Sequence, residues 1–338
     1  MKLLPENRRQ WFALLGRCAV LLAILGGMLF SFVSMPGHSF KGKEPSFTLQ
    51  EQEAARRMRS DVERIAGSIG EHNVNTYGEL QKVADLLVGR FTAMGYQVQQ
   101  ERYQVRNKTV SNIVAELPGI GKPAEIVVVG AHYDSPPESP GANDNTSGVA
   151  ALLELAARFK QQKLHRSVRF VAFVNEEPPW FQTDLMGSRV NAARAKKRGD
   201  AIVAMLAFDT IGCYSNVPGS QHYPPPFNVL YPDTGNFIAF VGNTASRSLV
   251  RTSLKAFRET TAFPSEGIAA PAFIKGVGWS DHWSYWQEGY PAFMITDTAP
   301  FRYRHYHESS DTPEKLDYLK MARVVTGVAK VIEKLAAQ

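Results

Sequence analysis

The residues from Gly130 to Gly148, GAHYDSPPESPGANDNTSG, hold His132, Asp134 and Asp144 directly after the apolar run 126–129. A surface loop turns on Gly, Pro and Asn, but it has no need of a His and an Asp at i and i+2, which share one side of an extended chain. Imidazole and carboxylate in that spacing suit a metal. A ligating His gives its second ring N–H to an acceptor, and Asp134 is spaced to be that acceptor for His132. Asp144 stands in a polar turn before a helix, where Asn145, Thr146 and Ser147 already suffice for capping, so its carboxylate is left for a cation.

Glu176 and Glu177 stand side by side after VRFVAFVN, where two carboxylates repel unless a cation neutralises one. Adjacent strand residues point to opposite sides, so one is expected to ligate metal and the other to take a proton from activated water. Asp209 follows the apolar run 202–208. In YRHYHESSDTPEKLDY, either His305 or His307 can complete a shell otherwise short of imidazole, and the residues alone do not choose between them. GWSDHWSYW sets Asp281 and His282 among aromatics including Trp279, a mixture that suits the wall of a substrate-binding pocket. Cys18 and Cys213 are the only cysteines, which excludes a disulfide framework and a thiolate zinc site. Any metal is held by His and carboxylate.

Groups so far apart in sequence need a frame that gathers them. Helical spacing over 49–69 and 77–94 precedes two strands, YQVQQERYQV and SNIVAEL. Strands at 126–129, 168–174 and 202–208 then alternate with helices at 147–159 and 185–197, which predicts a mostly parallel, mixed central sheet with helices on both faces. The segment 215–278, rich in Pro, is expected to be an insertion over one end of the sheet, with two short strands and a helix near 244–258. A last strand at 292–296 leads to a helix over 313–335, begun by Asp311 or Thr312 with Pro313 at its first position. In this α/β design the crevice lies outside the carboxyl ends of the strands, where His132, Glu176, Glu177 and Asp209 are all discharged. One domain over 49–338 accounts for the chain of 338 residues, 44% of them hydrophobic.

Residues 18–35 carry no charge, follow a basic segment at 1–17 and precede Pro36-Gly37. They read as a membrane-spanning signal anchor or a signal peptide, with the uncleaved anchor preferred although Gly37-His38-Ser39 is a tolerable cleavage site. Positive charge on the amino-terminal side keeps 1–17 in the cytoplasm and sends the catalytic domain to the periplasmic or extracellular side, or into the medium if the segment is cleaved. Arg8-Arg9 also resembles a twin-arginine export signal, with the same destination. Residues 36–48 read as a polar linker. The net charge of +6 does not point to nucleic acid: Lys2, Arg8, Arg9 and Arg17 against Glu6 supply half of it, and the basic run 194–198 has no interleaved aromatics.

In order along residues 110–335, HxD and GANDNTSG, Glu176-Glu177 with Gly187-Ser188, Asp209, Ser280-Asp281-His282 and YHESSDTPEKLDY resemble the zinc-dependent aminopeptidases. That family includes bacterial leucyl aminopeptidases and, more distantly, glutamate carboxypeptidases and glutaminyl cyclases. The resemblance implies a zinc exopeptidase-like fold, two Zn2+ bridged by Asp144, His132 and Asp209 on one metal, Glu177 and His307 on the other, and Glu176 as general base. A final His followed four residues later by Asp-Thr selects His307 over His305. Peptides with a free amino terminus are the implied substrates. The chain departs from the commonest pattern at Glu308, where Thr often stands, and in the Pro-containing segment 178–182. Two rival readings share the motif order, a single-zinc acyltransferase of the glutaminyl cyclase kind and a noncatalytic membrane ectodomain. The form Asn143-Asp144-Asn145 leans away from the first and the full ligand set away from the second.

Overall fold

The apolar run 126–129 is the middle of an eleven-residue strand whose two sides feed two different cores. Val127, Val129 and Ala131 enter one and Ile126 and Val128 the other, as the two-residue period of a strand requires. The computed structural model describes residues 7–337, so Lys2 and Glu6 of the basic segment lie outside the described residues. In chain order the elements are α1 (Arg8–Val33), α2 (Leu49–Val62), α3 (Tyr77–Ala93), β1 (Val98–Val105), β2 (Lys108–Leu117) and β3 (Lys122–His132). They continue as α4 (Gly148–Phe159), β4 (Arg166–Phe173), α5 (Gly187–Arg198), β5 (Ala201–Phe208), β6 (Ile238–Asn243) and α6 (Arg247–Thr260). The chain closes with β7 (Ser265–Ala270), α7 (His282–Gln287), β8 (Ala292–Thr296) and α8 (Tyr318–Ala336).

Among the described residues the strands form one sheet in the order β1-β2-β4-β3-β5-β8-β6-β7. β4, β3, β5 and β8 are parallel, β1 and β2 are added antiparallel at one side, and β6 runs antiparallel to β8 at the other. The buried centre explains the near-continuous apolar runs of β3, β4 and β5. Helices α2, α3, α4, α6 and α8 cover one face, α5 and α7 the other. The chain leaves β3 for β4 on one side and returns through α5 to β5 on the other, which makes the carboxyl end of β3 the switch point where α/β sheets bind ligands.

Three boundaries differ from expectation. The segment 215–278 does not merely lie over the sheet: β6 and β7 extend it beyond β8, giving the backbone groups of that edge partners. The last helix begins later than Pro313, because residues Pro313–Lys315 form a 3-10 turn and Asp317 caps α8 by accepting from Lys320 N at 3.0 Å. Asp311 is unavailable as a cap, its carboxylate being occupied at the site described next. Residues 36–48 lack regular structure but are strapped to the domain: Ser265 N donates to Ser39 Oγ at 2.9 Å, and Arg323 pairs with Glu44 and lies 4.1 Å from the Phe47 ring centre.

Gly187 closes the segment that carries the glutamate pair. Its N–H donates to Val174 O at 2.7 Å, and a Cβ there would meet that oxygen at 2.2 Å and Asn112 Oδ1 at 2.4 Å. Gly89, exposed inside α3, has nothing within 4 Å of where a Cβ would go. Gly187→Ala is therefore expected to cost about 1–3 kcal/mol and Gly89→Ala to gain about 0.5–1 kcal/mol, measured as opposite shifts of the urea unfolding midpoint.

Candidate metal centre

His132 is the last residue of β3, and β4 and β5 end beside it, so three chain segments meet at its imidazole. Its Nδ1 donates to the backbone carbonyl of Asp134 at 3.1 Å, which aims Nε2 at a group of carboxylates. Asp144 Oδ1 lies 3.3 Å from that nitrogen, Asp209 Oδ2 3.7 Å and Glu176 Oε2 3.9 Å. The other oxygen of Asp144, Oδ2, lies 3.1 Å from His307 Nε2, and Glu177 Oε2 lies 3.4 Å from the same nitrogen. One carboxylate thus stands between two imidazoles from opposite ends of the domain.

Three groups result. His132, Asp144 and Asp209 bring one ligand atom each to within 4.8 Å of one another, as do Asp144, Glu177 and His307, and also His132, Glu176 and Glu177. His132, Asp144, Glu176 and Glu177 are buried, Asp209 is half-buried and His307 is exposed, and His132 Nε2 and Glu177 Oε1 have no hydrogen-bond partner among the described residues. Buried polar atoms without partners are costly, and a dipositive ion held by imidazole and carboxylate removes that cost at both places. The donor set fits zinc.

The electrostatics show the same requirement. Burial, reinforced by neighbouring carboxylates, pushes Glu176 and Glu177 well above the usual carboxylate range, and burial raises Asp209 as well. Burial also opposes ionisation of Asp144, but His132 and His307 outweigh it and hold that carboxyl down at about 2. His132 is pushed well above 6.5, since Glu176, Asp144 and Asp209 together overcome a burial that opposes its charge.

Asp134 acts differently from the reading of the sequence. Its carboxylate is 3.7 Å from His132 Nδ1 and instead accepts the backbone amides of Glu176 at 3.0 Å and Glu177 at 3.1 Å. It fixes the glutamate pair, while its own carbonyl orients His132. Asp281 and His282 do not line the apolar pocket beside the cluster. Both are fully buried; His282 donates from Nε2 to Val277 O at 2.8 Å, sits edge-on to Trp286, and is driven down to about 4 by desolvation. Asp281 is raised by burial to about 7 and lies within electrostatic reach of Glu176. Trp279, from the same motif, is the residue that reaches the pocket. His305 is turned away to Ser310 Oγ at 2.8 Å.

Two residues of the site, Asp297 and Tyr306, are not singled out in the sequence, and Asp311 enters there only as a candidate helix cap and in the Asp-Thr pair after His307. Asp311 accepts from the amides of Asn143 and Asp144 at 2.9 and 3.0 Å and from Tyr303 O–H at 2.7 Å, so the turn carrying Asp144 is tied to the segment carrying His307. Asp297 accepts from Asn143 Nδ2 at 3.1 Å, Cys213 N at 2.7 Å and Thr210 Oγ1, joining that turn to the segment after Asp209. It follows β8 as Asp209 follows β5, and the rule of acids at strand ends would have found it. Tyr306 stacks on His307 with ring centres 3.9 Å apart and lines the pocket together with Asp209. That pocket, a cavity of about 110 Å³, has Tyr223, Phe227, Tyr231, Phe237, Ile268 and Met294 among its walls.

Residues 112–332 match the family model described as Peptidase family M28. The uncharacterized protein YfbL of Escherichia coli (strain K12) is 37% identical over 285 residues, spanning 82% of this chain and 87% of that protein. The fold is similar to that of BSAP, a zinc aminopeptidase from Bacillus subtilis, with a TM-score of 0.67 at 14% identity over 87% of this chain and 97% of that one. It is also similar to the glutaminyl cyclase of Porphyromonas gingivalis, with a TM-score of 0.62 at 18% identity over 86% and 99% of the two chains. Likeness at such identities concerns the fold alone. The chain belongs to peptidase family M28 and is a zinc metallopeptidase that acts on peptides.

Two outcomes follow for protein stripped of metal by chelation. Glu176, Glu177 and Asp209 have folded pKa values above their ordinary ones, so the unfolded chain loses these protons first and stability falls as pH rises past about 4.5. His132 adds to the fall, since its raised pKa stabilises the fold below 6.5 and that contribution is lost as pH rises through the folded value. The melting temperature of the chelated protein is expected to drop as pH rises above about 4.5, and zinc to abolish the slope; a flat profile would contradict the cluster's electrostatics. Asp311→Ala is expected to weaken zinc binding about 10- to 100-fold by freeing the Asp144 turn, as read by competition with a chromogenic chelator.

Proposed function

We propose that this M28 metallopeptidase is a membrane-anchored aminopeptidase that removes amino-terminal residues with large apolar side chains, using two zinc ions and Glu176 as general base. The observation that carries the reading is Asp144, whose two oxygens face His132 and His307 separately at 3.3 and 3.1 Å. On this reading His132 and Asp209 hold one ion, Glu177 and His307 the other, and Asp144 is shared. Zinc bound there supplies Lewis acidity toward the scissile carbonyl and lowers the pKa of water to near neutrality.

The remaining steps belong to side chains. Glu176 is outside the two groups that share Asp144, lies 3.9 Å from His132, and has the raised pKa of a group able to take a proton from attacking water and return it to the leaving amine. Asp134 holds Glu176 for that task through the backbone amide. The pocket that begins at Asp209 and Tyr306 receives the side chain of the residue being released, and its aromatic and aliphatic walls favour a large apolar one. A cyclase-like transferase shares the fold, but a single-zinc reaction leaves the second cluster without a use.

The anchor is α1, of 26 residues, with no part of its apolar window buried against the described residues of the domain. At about 1.5 Å per residue it exceeds the roughly 30 Å of a bilayer's hydrocarbon core. The contacts of Ser39 and Glu44 with the domain support retention of the segment, and Arg8 and Arg9 at its start support a catalytic domain outside the cytoplasm.

Glu176→Gln is expected to lower hydrolysis of an unblocked leucyl anilide about 10²- to 10⁴-fold, the range of a lost general base, while the zinc content stays that of the native protein. Near-native turnover in this variant would remove Glu176 from the mechanism.

A further inference from the structure

The anchor is clamped to the domain from its last turn onward. Arg247 Nε donates to Ser31 O at 3.0 Å, Arg251 donates to Ser34 O, and Arg258 Nη1 donates to Pro36 O at 2.9 Å. Phe32, one residue before the end of α1, packs on an apolar cluster that contains Phe237, Ala239 and Met294. Met35 presses on β7, where a Cβ on Gly267 would lie 3.1 Å from its Cγ.

Phe237, Ala239, Gly267 and Met294 are also walls of the pocket that begins at Asp209 and Tyr306. A single apolar pocket therefore adjoins the metal cluster and rests against the foot of the anchor. Because Phe32 still belongs to α1, this wall lies within about one helical turn, roughly 5 Å, of the end of the membrane-spanning segment.

Apolar side chains beside this pocket are left in the open. Phe273 is 88% exposed, Val229 78%, Leu230 41% and Trp279 38%. Phe273 precedes the pocket residue Ile274, and Val229 and Leu230 lie between the pocket residues Phe227 and Tyr231. The Lys275 ammonium sits 5.6 Å from the Trp279 ring centre, the pairing of basic and aromatic groups found at the level of lipid headgroups. A protein surrounded by water seldom exposes such a patch without a partner. The rigid attachment of α1 specifies a partner whose presence at this face is guaranteed.

We propose that the rim formed by Val229, Leu230, Phe273 and Trp279 seats in the interfacial layer of the bilayer that holds α1, and that the enzyme takes its substrates from the membrane surface. The substrates are amphipathic peptides adsorbed to lipid whose free amino terminus slides into the pocket without first crossing into bulk water. Confinement to the same surface raises the effective concentration of such a substrate. This rests on the aminopeptidase reading above, and the test separates the two.

The test uses the full chain in vesicles of phosphatidylcholine and phosphatidylglycerol, with a soluble leucyl anilide and a leucine-headed amphipathic peptide that adsorbs to the vesicles. The native protein is expected to show a kcat/KM about ten-fold or more higher on the adsorbed peptide. The combined variant Val229→Glu, Leu230→Glu and Phe273→Glu is expected to lose that preference while keeping its rate on the anilide. In parallel, the fluorescence added by Phe273→Trp is expected to be quenched by lipids brominated near the headgroup end of their chains. Equal kcat/KM on the two substrates in the native protein, a preference that survives the triple variant, or absence of quenching would each overturn the proposal. Absence of hydrolysis of both substrates would sink the aminopeptidase reading, and the quenching would then decide the seating of the rim by itself.

Discussion

Everything in the domain is arranged around a concentration of buried negative charge. Asp144, Glu176, Glu177 and Asp209 converge with Asp134 and Asp281 close behind, and the imidazoles of His132 and His307 face them. Carboxylates at such proximity cannot all ionise in a dry interior, and most of them are accordingly pushed toward the protonated form. A zinc ion would change the balance, since imidazole and carboxylate groups that are a liability for the bare chain are the donors such an ion takes. The sheet and its helices supply the rigidity that holds like charges together.

That rigidity is delivered by buried hydrogen bonds to backbone amides more than by contacts among the ligands. Asp134 takes the amides of the glutamate pair, Asp311 those of the Asp144 turn, and Asp297 ties this turn to the segment after β5. Each of the three connects segments far apart in sequence, so the ligand sphere is fixed from behind by carboxylates of its own kind.

This division explains what could be read in the sequence. Strand ends carry their chemistry locally, so His132, Glu176, Glu177 and Asp209 were visible as polar residues discharged by apolar runs, and the sheet that gathers them followed from its period of alternation. Asp297 obeyed the same rule and was passed over because its strand is short. Asp311 stood out as a cap for the last helix and as part of the Asp-Thr pair after His307, but its tie to the Asp144 turn did not, since a carboxylate before Pro313 looks the same whether it accepts amides of its own helix or of a turn 168 residues away. The motif around Asp281 and His282 had a pocket's composition, but both groups are buried in the interior, and Trp279 is the residue that reaches the pocket. The two strands expected in 215–278 are present as β6 and β7, but their place in the sheet was not legible, because nothing local tells a strand in a Pro-rich segment whether it caps a sheet or extends it.

The claim at the centre of this account is that the buried charge is matched by two cations. The most direct test strips the full chain of metal, returns Zn2+ stepwise, and follows bound zinc together with release of leucine from an unblocked leucyl anilide. The account predicts that hydrolysis climbs and levels off at about two equivalents, as a pair of ions sharing one carboxylate requires. Full activity at about one equivalent, or uptake that stops there, would contradict it.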